Sequence, residues 1–177
     1  MRNSTERQQA GFRFRVVCHH DYAIGAPWDE FDGYGIVSRW TSRPKRPGEM
    51  ILNSDRSSHR YYDFQATIQI ARRDNWGCWK NYPTTTERGS ALVKAVMDDF
   101  NNLRDWCNGG WNYMGIEVFP LLNTGDEARS MSRSLWGIES CVPESYHEEI
   151  IGDLIDQIIS ENGLDTVSLM FREEATS

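Results

Sequence analysis

The stretch PESYHEEIIGDLIDQII, residues 143–159, decides what kind of fold this chain can have. Tyr146, Ile150, Ile151, Leu154, Ile155 and Ile158 recur at three- and four-residue spacing, which makes a wide apolar stripe on a helix. Glu148, Glu149, Asp153 and Asp156 fall on the opposite side. A helix with one apolar face must bury it against another element. Pro143 and Ser145 open this helix, and Ser145-x-x-Glu148 fits a capping box. Asn162-Gly163 reads as its stop.

Strands supply the surface that such a helix needs. Phe12, Phe14 and Val16 alternate with Arg13, Arg15 and Val17, a period of two that predicts a strand ending at CHHD, 18–21. Residues 1–10 are polar and read as a frayed end. Residues 21–33 read as loop and GYGIVSRW, from Gly33, as a short strand. Residues 63–75 predict a helix with Asp63 as N-cap and Phe64, Ile68 and Ala71 on one face. A second helix is predicted to begin near Ser90, after a connection at KNYPTTTERG, 80–89. Leu92, Val96, Phe100, Leu103 and Cys107 make its apolar stripe, and Asp98, Asp99, Asn102 and Asp105 face away. Trp111 to Leu121 and SLWGIES, from Ser134, predict an antiparallel pair of strands. Val167, Leu169 and Phe171 alternate as a final strand. The expectation is α+β: a mixed, mostly antiparallel sheet with three amphipathic helices covering one face. Residues 1–11 are expected to be a flexible end, and 12–177 a single domain with a long loop-rich N-terminal insertion.

Composition narrows the class of function. With 39 % hydrophobic and 12 % aromatic residues, seven of them Trp, the chain has the makings of a core. No apolar run reaches the length of a membrane span. The polar MRNSTERQQAGFRFRVV is not a signal-peptide pattern, so a cytoplasmic protein without membrane contact is expected. Cys18, Cys78, Cys107 and Cys141 form no CxxC and read as thiols of a reducing compartment. The net charge of −7 is uneven. Residues 142–177 hold one Lys/Arg against nine Asp/Glu, whereas residues 1–90 hold fourteen against ten.

The basic half concentrates its charge in RWTSRPKRPGEMILNSDRSSHR, 39–60. Arg39, Arg43, Lys45, Arg46, Arg56 and Arg60 lie there beside Trp40, Tyr61 and Tyr62. Guanidinium groups near aromatic rings suit phosphate or nucleobase contact. Glu49 and Asp55 dilute that charge, and the same arginines can tie a loop to acids of their own chain. RPGE, 46–49, reads as a turn. CHHD sends successive side chains to opposite faces of a strand, which is not a metal-ligand spacing. Trp76, Trp79, Trp106 and Trp111 fall at the ends of two helices and are expected to cluster, as core or as an anchor for a partner. The chain has no GxGxxG, Walker loop, HExxH or GxSxG, and no catalytic residue, metal site or cofactor is expected.

DGYGIVSRWTSRPKRPGEMIL, DRSSHRYYDFQATIQIARRDNWG, LRDWCNGGWNYMGIEV and SLWGIES with its acidic helix together resemble an uncharacterised family of tailed bacteriophage and prophage proteins. The likeness covers roughly residues 12–160 as a string of short patterns. It implies a phage origin, the cytoplasm of an infected bacterium as location, and no catalytic residues to carry over. Three functions follow as expectations. The first is binding of a host bacterial protein, with Glu148, Glu149, Asp153 and Asp156 as an acidic inhibitor of a defence or nucleic-acid-handling system. The second is nucleic-acid or nucleotide binding through residues 39–60. The third is an enzyme on a phosphate-containing substrate, with Arg39, Arg46 and Arg56 as clamps and Asp21 or Asp55 as base.

Overall fold

The computed structural model describes the backbone of residues 3–171 and the side chains of residues 4–162. The fold class is α+β with antiparallel strand pairing, as the sequence predicts. Two compact units share the chain: residues 1–24 with 111–177, and residues 25–110. The three helices expected over a single sheet are divided between two sheets.

The first unit is a four-stranded antiparallel sheet in the order β1-β2-β5-β6. Its strands are β1 (Asn3–Gln9), β2 (Phe12–His20), β5 (Tyr113–Pro120) and β6 (Arg133–Glu139). The polar N-terminal segment is a strand rather than a frayed end. A two-residue turn at Ala10-Gly11 pairs Gln9 with Phe12, and both turn residues have positive φ (51° and 84°). That matches the primed hairpin turns, whose twist suits the flanking strands. On β2 the alternation sends Phe12, Phe14 and Val16 inward. Ile116 and Val118 of β5 and Ile138 of β6 join them.

The cover is α4 (Glu144–Phe171). Ile150, Ile151, Leu154, Ile155 and Ile158 are buried in the core of this unit. Each such side chain contributes about 1.5–3 kcal/mol on leaving water. The helix starts at Glu144, one residue ahead of the proposed Ser145 cap, and passes through Asn162-Gly163 to Phe171. The final strand predicted at Val167–Phe171 is therefore the last turns of a helix. An isolated Asn-Gly pair is a weak stop when helix-forming neighbours continue beyond it.

The second unit is built on the hairpin of β3 (Glu49–Asp55) and β4 (Ser58–Asp63), with α1 (Pro27–Glu30), α2 (Phe64–Arg73) and α3 (Thr85–Cys107). Asp63 caps α2 by accepting from the Ala66 N–H at 2.9 Å. Thr84 and Glu87 form a full capping box that starts α3 five residues before Ser90, so part of the predicted connection is helix. The GYGIVSRW segment meets β4 at one isolated bridge, Val37 to Tyr62, and Thr41 just beyond it at another, to His59, without becoming a strand. The predicted tryptophan cluster does not form as a group. Trp76 and Trp79 pack against the core of the second unit. Trp106 stands edge-on to Trp28, and Trp111 lies in the first unit against Tyr113.

Tyr62 is the keystone of this second core. It is 0 % exposed, and its hydroxyl donates to Asp99 at 2.6 Å. Asp99 also accepts from the Gly35 N–H at 3.0 Å, so it turns inward rather than facing away as the helical spacing predicts. Burial raises the Asp99 carboxyl above its usual range, and these two donors oppose that shift. A methyl group on Gly35 would lie 2.4 Å from the Tyr62 ring. Gly35→Ala should therefore destabilise strongly, and Tyr62→Phe should cost about 1–3 kcal/mol by stripping a donor from a half-buried carboxylate. Urea midpoints of both variants measure this, and a wild-type midpoint for Gly35→Ala would contradict the packing described.

Candidate functional site

The first unit has one face covered by α4 and one face open. Arg15, Val17 and His19 of β2 and Glu117 and Phe119 of β5 project onto the open face, where Glu6 of β1 joins them around a cavity of about 380 Å³. Arg15 bridges Glu6 and Glu127, each at 3.2 Å, and these partners hold its guanidinium more firmly charged than usual. His19 Nε2 lies 3.2 Å from Glu117, and its ring stacks on Trp136 with centroids 5.6 Å apart. Trp136 can lie across the sheet because Gly115 has no side chain there; a methyl group would meet the ring at 2.3 Å.

Trp136 also borders a second concavity of about 720 Å³ at the edge of the sheet. Leu135, Ile138, Val142, Pro143 and Tyr146 form its mainly apolar wall, with Glu139 beside them. Leu135, Trp136 and Tyr146 are 44 %, 47 % and 47 % exposed, so three large apolar side chains are partly open to solvent around this edge. The acids of α4 belong to the same unit. All four predicted acids are exposed, but they are not equivalent. Glu148 pairs with Arg7, and Asp156 accepts from Gln9 Nε2 at 2.8 Å. Among the described residues, Glu149 and Asp153 make no ion pair. Charge counting found the array; the contacts with β1 were beyond it because β1 was not expected.

CHHD scatters as the alternation predicts. Cys18 packs against the core, and burial pushes its thiol up, away from the thiolate that nucleophilic attack requires. His20 stacks on Tyr22, with centroids 4.0 Å apart. Asp21 is buried and accepts from the Ala23 N–H at 3.1 Å. Among the described residues, no group of three His, Cys, Asp or Glu side chains is placed to hold a metal ion. No described helix is long and apolar enough to cross a membrane.

The basic segment 39–60 belongs to the second unit and is mostly ordered structure. The RPGE turn is present: Gly48 has φ +83° and the Glu49 N–H donates to the Arg46 carbonyl at 3.2 Å. Glu49 is the centre of the segment. It is 8 % exposed, takes two bonds from the Arg43 guanidinium at 2.5 and 2.7 Å, and a third from the Arg46 N–H at 2.8 Å. Arg43 also lies over the Tyr61 ring. The Arg60 guanidinium sits between Trp28 and Trp40, 5.1 and 5.2 Å from the ring centroids, and its Nε is buried without a hydrogen-bond partner. Arg39, Lys45, Arg46 and Arg56 are exposed. The six basic residues thus divide into two with structural partners and four on the surface. The proposed bases separate as well: Asp21 belongs to the first unit, whereas Asp55 is exposed at the end of β3 in the second.

A scan against protein-family models, a search of curated proteins and a search of solved structures found no match to this chain.

The Arg43 guanidinium holds the Glu49 carboxyl at about 2, well below its usual 4.5. A carboxyl depressed in the folded state stabilises fully above its unfolded value and loses that contribution as pH falls through the folded one. Stability should therefore fall between about pH 4.5 and about pH 2, and Glu49→Gln should flatten that part of the curve. Urea midpoints across this range check it; identical slopes for both proteins would contradict the assignment.

Proposed function

We propose that this protein acts by binding a basic protein partner through the first unit, at the corner where β6 meets the start of α4. One observation carries the reading: an exposed apolar groove and an exposed run of acids lie on the same elements. Leu135, Trp136 and Tyr146 offer area to be removed from water. Glu149 and Asp153 offer unpaired negative charge. Large apolar side chains anchor partners, and charges around them steer encounter and select sign. The resemblance to phage proteins makes a host bacterial protein the natural partner. An acidic surface of this kind would inhibit by covering a basic, nucleic-acid-handling surface on it.

An enzyme reading has less support. His19 and Glu117 form a hydrogen-bonded pair and Ser4 lines the same cavity, but among the described residues Ser4 makes no hydrogen bond to His19, and both arginines near the cavity are held by Glu127.

The test is titration of a host protein captured from bacterial lysate against wild type and Glu149→Ala/Asp153→Ala. Those two acids leave the β1 contacts of Glu148 and Asp156 intact. The double variant should bind about five- to tenfold more weakly at low salt, and the difference should shrink as salt screens both proteins. Equal affinity at low salt would remove the acidic surface from the interface.

A second reading rests on a separate observation. Among the described residues Arg39, Lys45 and Arg56 make no ion pair, and Trp40 is exposed beside the unneutralised Arg60. That combination suits single-stranded nucleic acid, with Trp40 as a stacking platform. Retention of a labelled oligonucleotide at low salt should then drop when Arg39, Lys45, Arg46 and Arg56 become Ala, with a flatter salt slope. No retention by the wild type would end this reading.

A further inference from the structure

We infer that the partner docks as an added β-strand on the outer edge of β6, and that the segment recognised alternates apolar and basic residues. This rests on the partner-binding reading above and specifies its ligand. The argument begins with the two edges of the four-stranded sheet. An edge strand offers unpaired backbone N–H and C=O groups, and proteins usually blunt it with polar or charged side chains. At one edge, β1 reads NSTERQQ and is polar throughout. At the other, β6 reads RSLWGIE and exposes Leu135 and Trp136 side by side. Arg133, paired with Glu161 of α4, starts that edge, and a bulge interrupts it where the register with β5 shifts and Gly137 has φ +77°. The run Arg133–Leu135 ahead of the bulge has no strand partner on its outer side among the described residues.

The two faces of an added strand would meet different chemistry, because successive side chains point to opposite faces. On the α4 side, Leu135 opens the apolar groove that Val142, Pro143 and Tyr146 continue. On the open side, the next surface is the Trp136 ring, with Glu117 on β5 in register with the small Ser134 of β6. An exposed tryptophan face attracts a guanidinium or ammonium group, and Glu117 one strand further in, bonded to His19, adds negative charge nearby. Apolar side chains on one face and basic ones on the other are what this edge selects. Charge also decides between a foreign strand and a second copy of the chain. A second copy brings the same net charge of −7, so self-association meets a like-charge repulsion that a basic segment does not.

The test uses the full chain and two synthetic ten-residue peptides of one composition. In one, Lys alternates with Val; in the other, the same residues stand in two blocks. The alternating peptide should bind at least tenfold more tightly, and amide exchange at Arg133–Leu135 should slow when it binds. Leu135→Lys and Trp136→Ala should each weaken that binding at least tenfold while the native circular dichroism spectrum is retained. Equal affinity for the two peptides with no protection of β6 would overturn strand addition and leave a basic partner on the acidic surface standing. Failure of both peptides to bind at low salt would overturn the partner-binding reading and this one with it. A concentration-dependent dimer with β6 protected in the absence of peptide would show that a second copy is the occupant, which also overturns it.

Discussion

The packing of α4 on the four-stranded sheet is the constraint from which the features of the first unit follow. A helix with its side chains is about 10–12 Å across, whereas four strands span about 14 Å between the outer backbones alone. One helix therefore cannot cover the whole face. Its isoleucine stripe lies over Phe14, Val16, Ile116 and Val118 of the central strands β2 and β5. The two edges are left to their own chemistry. At β1 the sequence is polar and needs no cover; Arg7 and Gln9 reach across to the acids of α4 instead. At β6 Ile138 is buried but Leu135 is left half open, and the apolar layer runs out into solvent.

The second unit solves a different problem. A two-stranded hairpin is marginal by itself, so its stability comes from what is packed and bonded against it. Tyr62 plugs the space between β4, α3 and the Gly35 segment, and its hydroxyl ties the half-buried Asp99. Thr67 links two pieces of the same unit, accepting from the Ile36 N–H and donating to the Asp63 carbonyl. Arg43 and Glu49 do likewise for the turn that leads into β3. The basic charge of residues 39–60 thus has a partly structural origin, which explains why an acidic chain keeps it.

Elements with strong periodicity were legible in the sequence, and those formed by tertiary pairing were not. The FRFRVV alternation, the Asp63-capped α2 and the β5–β6 pair all carry their pattern locally. By contrast, β1 is polar on both faces and exists because a tight turn returns it to β2. The β3–β4 hairpin turns through Arg56, with φ +50° and no Asn-Gly or Asp-Gly pair to announce it. The capping box at Thr84 and Glu87 was readable as T-x-x-E, but Pro83 and three threonines resemble a loop. Asp99 shows the limit of helical spacing as a guide. A carboxylate placed toward the solvent by periodicity turns inward once a buried tyrosine offers it a donor.

The candidate site divides along the same line. The acids of α4 were visible from charge alone, yet which of them are free depended on β1. Leu135 and Trp136 were written as members of an ordinary strand, because SLWGIES carries no sign that its strand ends the sheet. Edge position is a property of topology: in a central strand Leu135 and Trp136 would be flanked by strands on both sides. Gly115 then matters more than its lack of a side chain suggests. It lets Trp136 lie flat across β5 and onto His19, so the indole presents a fixed face rather than a mobile side chain. A ring held in place loses little further entropy when a partner stacks on it. That is the physical reason we propose a single exposed tryptophan on a bulged edge as an anchor.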